Sequence, residues 1–198
     1  MRARTLDQFV GQEHLLGTGK PIRLAIEQDN LTSCILWGPP GCGKTTLAHI
    51  IAHQTKAEFQ QLNAGTSGVP ELRKYISQAQ EAARFQAHST ILFLDEIHRF
   101  NKAQQDFLLS FVEDGTIRLI GATTENPSFE INDALLSRMQ VYPFQPLEPH
   151  HIQQLIQRAL NDTNLRQMQV DLTEEGEQLL VLLADGDILS LIHISAPT

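Results

Sequence analysis

A glycine-rich segment at residues 38–46 constrains this chain more than any other feature of its sequence. It reads Gly38-Pro39-Pro40-Gly41-Cys42-Gly43-Lys44-Thr45-Thr46, which matches the pattern G-x-x-x-x-G-K-[S/T]. The apolar run Ser33 to Trp37 precedes the segment. A helix-like pattern begins near the end of the segment, at Thr45, and continues to His53. A chance match is expected in on the order of one random chain per hundred or more, and the strand–turn–helix context makes it rarer still.

These residue types suit the binding of a polyphosphate. Glycine lets the backbone bend until its N–H groups converge on the phosphates, where side chains would block the approach. The following helix directs the positive end of its dipole at the same group. Lys44 is expected to reach the β- and γ-phosphates, and the Thr45 hydroxyl to complete the coordination of Mg²⁺. The segment therefore predicts a nucleotide site.

Length and composition favour one substantial globular core. The chain has 198 residues, of which 41% are hydrophobic and 19% charged, so it reads as globular rather than disordered. It has no apolar run near the roughly 20 residues of a membrane span, and its N-terminus lacks a secretory signal pattern. Two cysteines, Cys34 and Cys42, are too few for a disulfide framework, which favours the cytoplasm. The net charge of −8 argues against a general affinity for nucleic acid.

Beyond the loop, strand patterns alternate with helical patterns. Strands are predicted at residues 33–37, 58–62, 90–94, 117–122 and 141–144, and helices at 45–53, 70–86, 101–112 and 132–138. This alternation predicts an α/β fold with a central parallel sheet and helices on both faces. From His150 onward the pattern is helical alone, so a domain boundary is expected within residues 145–149.

Two acidic residues end the most apolar of these strand patterns. Thr90 to Leu94 precedes Asp95 and Glu96, and side chains at the carboxyl end of a parallel strand enter the crevice where ligands bind. Asp95 is expected to hold Mg²⁺ through water, and Glu96 to orient and activate the attacking water. The pattern is weak evidence alone, but an acidic pair that follows a phosphate loop by roughly fifty residues is the expected partner of that loop.

The string Asp95-Glu96-Ile97-His98 also resembles the D-E-x-H box of superfamily 2 helicases. Those enzymes need a second ATPase-like domain, for which this chain is too short. His98 is therefore predicted to be a surface or packing residue without a catalytic role. The sequence also offers no second ligand at metal-binding spacing around it.

Two further polar positions lie beyond the acidic pair. Thr123 and Thr124 end the strand pattern at 117–122, where a hydroxyl can hydrogen-bond the γ-phosphate or its water. The alternative is a simple strand-ending threonine. Arg138 ends the helix pattern at 132–138, and there the alternative is a solvated cation at a helix end.

Taken together, four motifs resemble those of AAA+ ATPases of the clamp-loader clade. They are Gly38 to Thr45, Leu94-Asp95-Glu96, Gly121-Ala122-Thr123-Thr124 and Leu136-Ser137-Arg138. The strings at residues 6–15, 98–106 and 112–138 are similar to the replication-associated recombination ATPases, the family of the bacterial RarA (MgsA) proteins and the eukaryotic Werner-helicase-interacting protein. The resemblance covers about residues 2–187.

The resemblance implies a P-loop AAA+ three-layer α/β sandwich followed by a partial helical lid. It implies an ATPase with ATP and Mg²⁺ as cofactors that assembles into a ring-like homo-oligomer. Such an enzyme acts on DNA at stalled forks and gaps, with replication proteins as further partners and a cytoplasmic, nucleoid-associated location.

Residue by residue, the resemblance implies that Val10 and Gly11 border the adenine and that Thr124 is the first sensor. Arg138 would be the finger that reaches a neighbour's ATP. Cys42 stands where relatives often have Thr or Ser. Little loss is expected there, because only the backbone of this residue needs to contact phosphate.

The predicted organisation is a nucleotide-binding α/β domain at residues 1–146, a partial helical lid at 147–187 and a non-native tail at 188–198. After Asp187 the family would continue with Ala and a sensor arginine, whereas this chain continues with an apolar run that has no arginine. An evolved tail is the alternative to a foreign one. Because the second sensor and the assembly region are expected outside this chain, a nucleotide-binding module without significant hydrolysis is the alternative function.

Overall fold

A five-stranded parallel sheet forms the centre of the computed structural model, which describes residues 3–84, 90–161, 172–184 and 186–187. The strands are β1 (Cys34–Trp37), β2 (Glu58–Asn63), β3 (Thr90–Asp95), β4 (Ile117–Thr123) and β5 (Gln140–Pro143). Their order across the sheet is β2-β3-β4-β1-β5, and all neighbouring pairs are parallel. The predicted α/β fold with a parallel sheet is confirmed.

Helices connect the strands and cover both faces of the sheet. They are α1 (Glu13–Leu16), α2 (Pro21–Glu27), α3 (Lys44–Gln54), α4 (Val69–Arg84), α5 (Lys102–Glu113), α6 (Pro127–Glu130), α7 (Asp133–Leu136), α8 (Pro149–Leu160) and α9 (Glu174–Ala184). Short 3₁₀ helices lie at Leu6–Gln8 and Ile97–Arg99. Within the described ranges, none of the helices is both long and apolar enough to cross a membrane.

Alternate residues of the central strands belong to two different apolar clusters. Ile91 and Phe93 of β3 pack with α2 and α3, whereas Leu92 and Leu94 pack with α4 and α5. Successive side chains of a strand point to opposite faces, so a strand that is apolar throughout is buried on both. This is the three-layer arrangement predicted from the sequence.

Gly121 in β4 marks a close approach between the sheet and the segment after β3. A Cβ atom at this position would lie 2.7 Å from Cδ1 of Ile35 and 3.0 Å from Cδ1 of Ile97. The missing side chain lets the 3₁₀ helix that contains Ile97 settle against the sheet. The residues that flank this helix are therefore held close to the end of β4.

A third apolar cluster lies beyond the sheet and joins α8 to α9. Its buried members are Leu147, Ile152, Ile156 and Ala184. The Leu147 N–H also donates to the Gly186 carbonyl oxygen, with 3.3 Å between the nitrogen and the oxygen. The partial helical lid expected from the sequence is present, and the domain boundary between residues 146 and 147 stays a prediction. The predicted tail at 188–198 lies outside the described residues.

The structure differs from the sequence prediction mainly at short elements. The helix predicted at 132–138 is only α7 and ends at Leu136, so Arg138 lies after it rather than in its last turn. The sequence analysis did not predict α1, α6 or the 3₁₀ helices. Elements of three or four residues are too short to display a helical period in the sequence.

Asn101 should contribute measurably to stability, because both its side chain and its backbone N–H take part in the N-terminal cap of α5. Its side chain accepts from the Gln104 N–H at 3.0 Å, and the Gln104 side chain accepts from the Asn101 N–H at 2.9 Å. We expect Asn101→Ala to lower the free energy of unfolding by about 1 kcal/mol, measured by urea denaturation. Asn101→Asp keeps the cap acceptor and is the control, expected to retain most of the stability. Equal loss in both variants would contradict the capping role.

Candidate nucleotide-binding site

The glycine-rich loop joins the end of β1 to the start of α3, and two of its glycines have no room for a side chain. A Cβ at Gly38 would lie 2.5 Å from the carbonyl oxygen of Phe144. Gly43 has a φ of 104°, and a Cβ there would lie 2.5 Å from the ring of Phe9. The Gly38 N–H donates to the Thr123 carbonyl at 3.1 Å, so the loop starts in contact with β4. Glycine is required at both positions by packing, and at Gly43 also by backbone conformation.

Lys44 opens α3 and is buried within the loop. Its Nζ donates to the carbonyl oxygens of Gly38 at 2.7 Å and Pro39 at 2.6 Å. The ammonium group is thus held against the loop, at the end of α3 where the helix dipole is positive. Both features favour an anion at the same place.

The Cys42 side chain lies inside the loop. Its thiol donates to the Pro39 carbonyl oxygen, with 3.0 Å between the sulfur and the oxygen. Burial raises the pKa of the Cys42 thiol, although the Lys44 ammonium nearby opposes this shift. The thiol is therefore neutral and packs as a small apolar group, in line with the expectation that only the backbone of Cys42 meets phosphate.

Asp95 ends β3 beside the first turn of α3, where the Thr45 side chain lies near its carboxyl group. Burial raises the pKa of Asp95 above its usual range, and the neighbouring Glu96 charge adds to the shift. The Lys44 charge and the Thr45 hydrogen bond oppose it. A cation placed near this carboxylate would stabilise its charged form.

The Thr45–Asp95 pair fits Mg²⁺ as a ligand set. Magnesium is usually bound by one or two carboxylates together with substrate phosphates, and it keeps several waters. Across the described parts of the chain, no group of three or more His, Cys, Asp and Glu side chains is placed to hold a metal. Protein oxygens at this site would therefore supply only part of the coordination shell, and phosphate and water oxygens the rest.

Glu96 follows β3 in a left-handed backbone conformation, with φ 55° and ψ 41°. This region is unfavourable for a residue with a side chain, so surrounding contacts must maintain it. The Glu96 N–H donates to Oδ1 of Asp95 at 3.1 Å, and Oε2 of Glu96 lies 3.2 Å from Nε2 of His98. The carboxylate is partly exposed toward the same edge of the sheet as the loop.

The sequence prediction for His98 left a surface position and a packing position open, and the structure shows the second. Its side chain is only 9% exposed, and its ring also has two polar contacts. Nε2 contacts Glu96 and Nδ1 lies 2.9 Å from the Thr123 hydroxyl oxygen. The likeness to a D-E-x-H box was the signal in the sequence that this histidine has polar partners.

Thr124 lies directly after β4 and is half-buried, at the same sheet edge as the acidic pair. The neighbouring hydroxyl, that of Thr123, accepts from the Glu125 N–H at 3.0 Å and contacts His98. The two threonines therefore differ in role, since one hydroxyl is used within the protein. The assignment of Thr124 as a sensor stays a prediction.

The segment predicted to border the adenine lies against the loop and α8. Val10 is half-buried, and Gly11 has a φ of 79° with no room for a Cβ, which would lie 2.8 Å from Cδ2 of Leu147. The next residue, Gln12, was missed by the sequence analysis. Its buried side chain donates to the carbonyls of Gln145 at 2.7 Å and Cys42 at 3.4 Å, and accepts from the Gln145 N–H at 2.9 Å. Gln12 thereby ties the N-terminal segment to the loop and to the start of the lid.

Arg138 is the one predicted site residue that the structure separates from the others. It precedes β5, whose first residue, Gln140, pairs with Cys34 at the amino end of β1. The phosphate loop lies at the opposite end of β1, and a four-residue strand spans roughly 13 Å. Arg138 is 53% exposed in its side chain and pairs with Glu113 at 3.0 Å.

A cleft of about 550 Å³ lies beside Arg138 at this amino edge of the sheet. It is lined by Asn30, Leu31, Thr32, Ser33, Val112, Glu113, Gly115, Ile117, Arg118 and Arg138. The cleft is therefore separate from the phosphate loop. Of the residues predicted for the nucleotide site, it includes Arg138 alone.

A family model agrees with this fold and this loop. The model "ATPase family associated with various cellular activities (AAA)" matches residues 34–147, which is more than half of the chain. The chain therefore belongs to the AAA ATPase family.

Individual relatives show which members of the AAA ATPase family this chain resembles. The chain is 49% identical to the replication-associated recombination protein A of Haemophilus influenzae over 189 residues, 94% of this chain and 42% of that protein. It is 45% identical to ATPase WRNIP1 of Dictyostelium discoideum over 197 residues, 98% of this chain and 22% of the relative. The family resemblance inferred from the motifs is confirmed. The chain spans less than half the length of these relatives.

Solved structures support the fold. The Thermotoga maritima RuvB Holliday junction branch migration motor is similar with a TM-score of 0.75 and 27% sequence identity. The similarity covers 98% of this chain and 63% of the RuvB chain. It confirms the predicted AAA-type α/β fold with its helical extension.

The raised pKa of Asp95 predicts a pH-dependent cost to stability. The folded chain binds the Asp95 proton more tightly than the unfolded chain, whose carboxyl has the ordinary value of 3.8. The contribution of Asp95 to the free energy of unfolding is thus most favourable at low pH. It is lost as the pH rises through the raised pKa of Asp95. We expect Asp95→Asn to melt at a higher temperature than the wild-type chain at pH 7, in buffer without nucleotide or Mg²⁺.

This difference in melting temperature should shrink as the pH falls to the ordinary carboxyl range. Asp133→Asn, which removes an exposed carboxylate, is the control and should not stabilise the chain at pH 7. A Asp95→Asn variant less stable than the wild type at pH 7 would contradict the prediction.

Proposed function

We propose that this chain is the ATP-binding and ATP-hydrolysing domain of a DNA-dependent AAA ATPase that acts in replication-fork maintenance, recombination and DNA repair. The observation that carries the proposal is the convergence at one sheet edge. The loop around Lys44 follows β1, and Asp95 and Glu96 end β3 on the other side of β4, so all of them lie at the same carboxyl edge of the sheet. A cation, a metal-ligand pair and a base in one crevice are the groups that phosphoryl transfer requires.

Binding is assigned to the loop and to Lys44. Residues Gly38 to Thr46 form the loop around the phosphates, which the backbone N–H groups from Gly41 to Thr46 and the Lys44 ammonium bind, while Val10 and Gly11 border the adenine. Thr45 and Asp95 hold Mg²⁺, which neutralises phosphate charge when bound.

Hydrolysis is assigned to Glu96 with Thr124. Water attacks the γ-phosphorus and gives its proton to the Glu96 carboxylate, while the bond from phosphorus to the bridging oxygen breaks to leave ADP and phosphate. The Thr124 hydroxyl hydrogen-bonds the γ-phosphate or the water and so helps to align the two. Glu96 suits the role because it is a carboxylate that is anchored yet 37% exposed.

Arg138 acts on the ATP of a neighbouring subunit in this proposal. It lies at the amino edge of the sheet, and the phosphate loop lies at the carboxyl edge. A head-to-tail contact between two copies would bring the two edges together, and such contacts generate rings when the rotation closes. A finger arginine supplied in this way contributes about 10³- to 10⁵-fold in rate.

The DNA-related part of the proposal comes from the relatives, whose names refer to replication and recombination. With a net charge of −8, contact with DNA would use a local basic surface or a neighbouring region of the complete protein. Replication proteins as partners and a cytoplasmic, nucleoid-associated location belong to the same proposal. The alternative is a module that binds ATP without significant turnover, because the second sensor and the assembly region are expected outside residues 1–187.

Substitutions at Lys44 and Glu96 should separate binding from hydrolysis. We expect Lys44→Ala to abolish the stabilisation that Mg-ATP gives the 198-residue chain, which should reach about 2.7 kcal/mol at 100 times the dissociation constant. Glu96→Gln should keep that stabilisation, because the substitution leaves the phosphate loop intact. Its effect should fall on hydrolysis, since an amide cannot accept the proton of the water. Thermal unfolding with and without Mg-ATP measures both. An equal shift in the wild-type chain and Lys44→Ala would rule out the phosphate site.

Turnover is measured in an extended protein, defined as residues 1–187 joined to the C-terminal region of the Haemophilus influenzae relative. In it, Glu96→Gln should bind ATP and lose hydrolysis, with and without single-stranded DNA. Wild-type turnover in Glu96→Gln would remove Glu96 from the water-activating role. An extended wild-type protein that binds ATP without hydrolysing it would favour the binding module instead.

Mixing two inactive variants tests whether Arg138 acts between subunits. In the extended protein, Arg138→Ala and Lys44→Ala should each lose turnover. A mixture should regain part of it, because Lys44→Ala subunits supply Arg138 to the intact loops of Arg138→Ala subunits. A mixture as inactive as its components, despite assembly shown by sedimentation, would contradict the proposed role.

A further inference from the structure

His98 links the candidate base to the strand that supports the phosphate loop. Its Nε2 lies 3.2 Å from Oε2 of Glu96, and its Nδ1 lies 2.9 Å from Oγ1 of Thr123. We propose that His98 is a positioning residue that fixes the Glu96 carboxylate for water activation. This inference rests on the proposed function of Glu96 and adds a residue to it.

Glu96 needs such a partner because little else restrains its side chain. The carboxylate is 37% exposed, whereas the His98 side chain is 9% exposed. A long, partly exposed glutamate samples several rotamers unless a contact selects one. The left-handed backbone at Glu96 turns the chain into the 3₁₀ helix that carries His98, so the two side chains return toward each other.

The hydrogen-bond network favours one arrangement of the imidazole. A carboxylate can only accept, so the neutral ring donates its Nε2–H to Glu96 and keeps a lone pair on Nδ1. The Thr123 hydroxyl then donates to Nδ1 at 2.9 Å in preference to the Glu125 carbonyl oxygen at 3.3 Å, and it accepts from the Glu125 N–H at 3.0 Å. Both ring nitrogens then have a matching partner, so the ring can connect Glu96 to Thr123.

Thr123 anchors the far end of this bridge to the nucleotide loop. Its Cα pairs with that of Trp37 at the end of β1, and its carbonyl oxygen accepts from the Gly38 N–H at 3.1 Å. The connection therefore runs from the loop through Thr123 and His98 to Glu96. The position of the base is set relative to the loop that would hold the phosphates, rather than by the mobility of its own side chain.

The expected effect of breaking the bridge is a loss of turnover without a loss of binding. His98 touches the loop only through Thr123, so ATP affinity should change by no more than about twofold. Misplacing a catalytic group by about 1 Å can cost on the order of 100-fold in rate. In the extended protein, we expect His98→Ala to lower kcat by about 10- to 100-fold while KM stays nearly constant.

Two conservative variants distinguish positioning from general packing. His98→Gln carries an amide N–H that can still reach Glu96, whereas the shorter amide of His98→Asn reaches only toward Thr123. We expect His98→Gln to retain a larger share of kcat than His98→Asn. His53→Ala, which removes an exposed histidine in the last turn of α3, is the control and should leave kcat unchanged.

A spectroscopic measurement tests the bridge on the 198-residue chain itself. With ¹⁵N-labelled histidine, the His98 ring should carry its proton on Nε2 and a lone pair on Nδ1. Glu96→Ala should shift the Nε2 signal, and Thr123→Val should shift the Nδ1 signal. Ring signals that do not change in either variant would overturn the bridge.

The kinetic outcomes separate this inference from the proposed function. If Glu96→Gln is inactive and His98→Ala keeps the wild-type kcat or exceeds it, the inference fails and the role of Glu96 stands. If Glu96→Gln hydrolyses ATP normally, the proposed function fails and this inference fails with it. A selective drop in kcat that His98→Gln partly restores supports the positioning role.

Discussion

The parallel pairing of β4 between β1 and β3 is the constraint on which the site depends. In a parallel sheet the carboxyl ends of neighbouring strands meet at one edge, so the loop after β1, the acids after β3 and the threonines after β4 must converge. Two contacts fix that convergence at the level of single residues. The Gly38 N–H donates to the Thr123 carbonyl oxygen, and Leu94 of β3 pairs with Gly121 of β4. Slipping one strand by a residue would exchange the side chains that pack on its two faces, so the close packing of the two apolar clusters maintains the register.

Patterns that are local in the sequence predicted most of this arrangement. The strands β1, β3 and β4 could be found because their apolar runs are bounded by polar or glycine-rich segments, and β3 in particular is apolar without alternation. The cap of α5 is local as well, since Asn101 and its partner Gln104 are three residues apart. The loop, Asp95 and Glu96 followed from motif spacing, since each lies immediately after a predictable strand.

The residues that sequence reasoning missed depend on contacts between distant parts of the chain. His98 meets Thr123 across a separation of 25 residues, and Gln12 meets Gln145 across 133. A single sequence does not reveal such pairs, because the separation of the two partners along the chain follows no local period. Both residues are polar, and burying them is favourable only because their hydrogen bonds are satisfied. Their positions therefore became interpretable only with the fold.

The polarity of the sheet also separates two groups of opposite charge. Asp95 and Glu96 lie at the carboxyl edge, and Arg138 lies at the amino edge, beside Arg118 and the cleft. Buried charge of one sign is costly, and the raised pKa of Asp95 expresses that cost within a single chain. In the proposed head-to-tail assembly, Arg138 would exchange its pairing with Glu113 for the acidic edge of another copy and would so offset that cost. Assembly and catalysis would then depend on the same interaction.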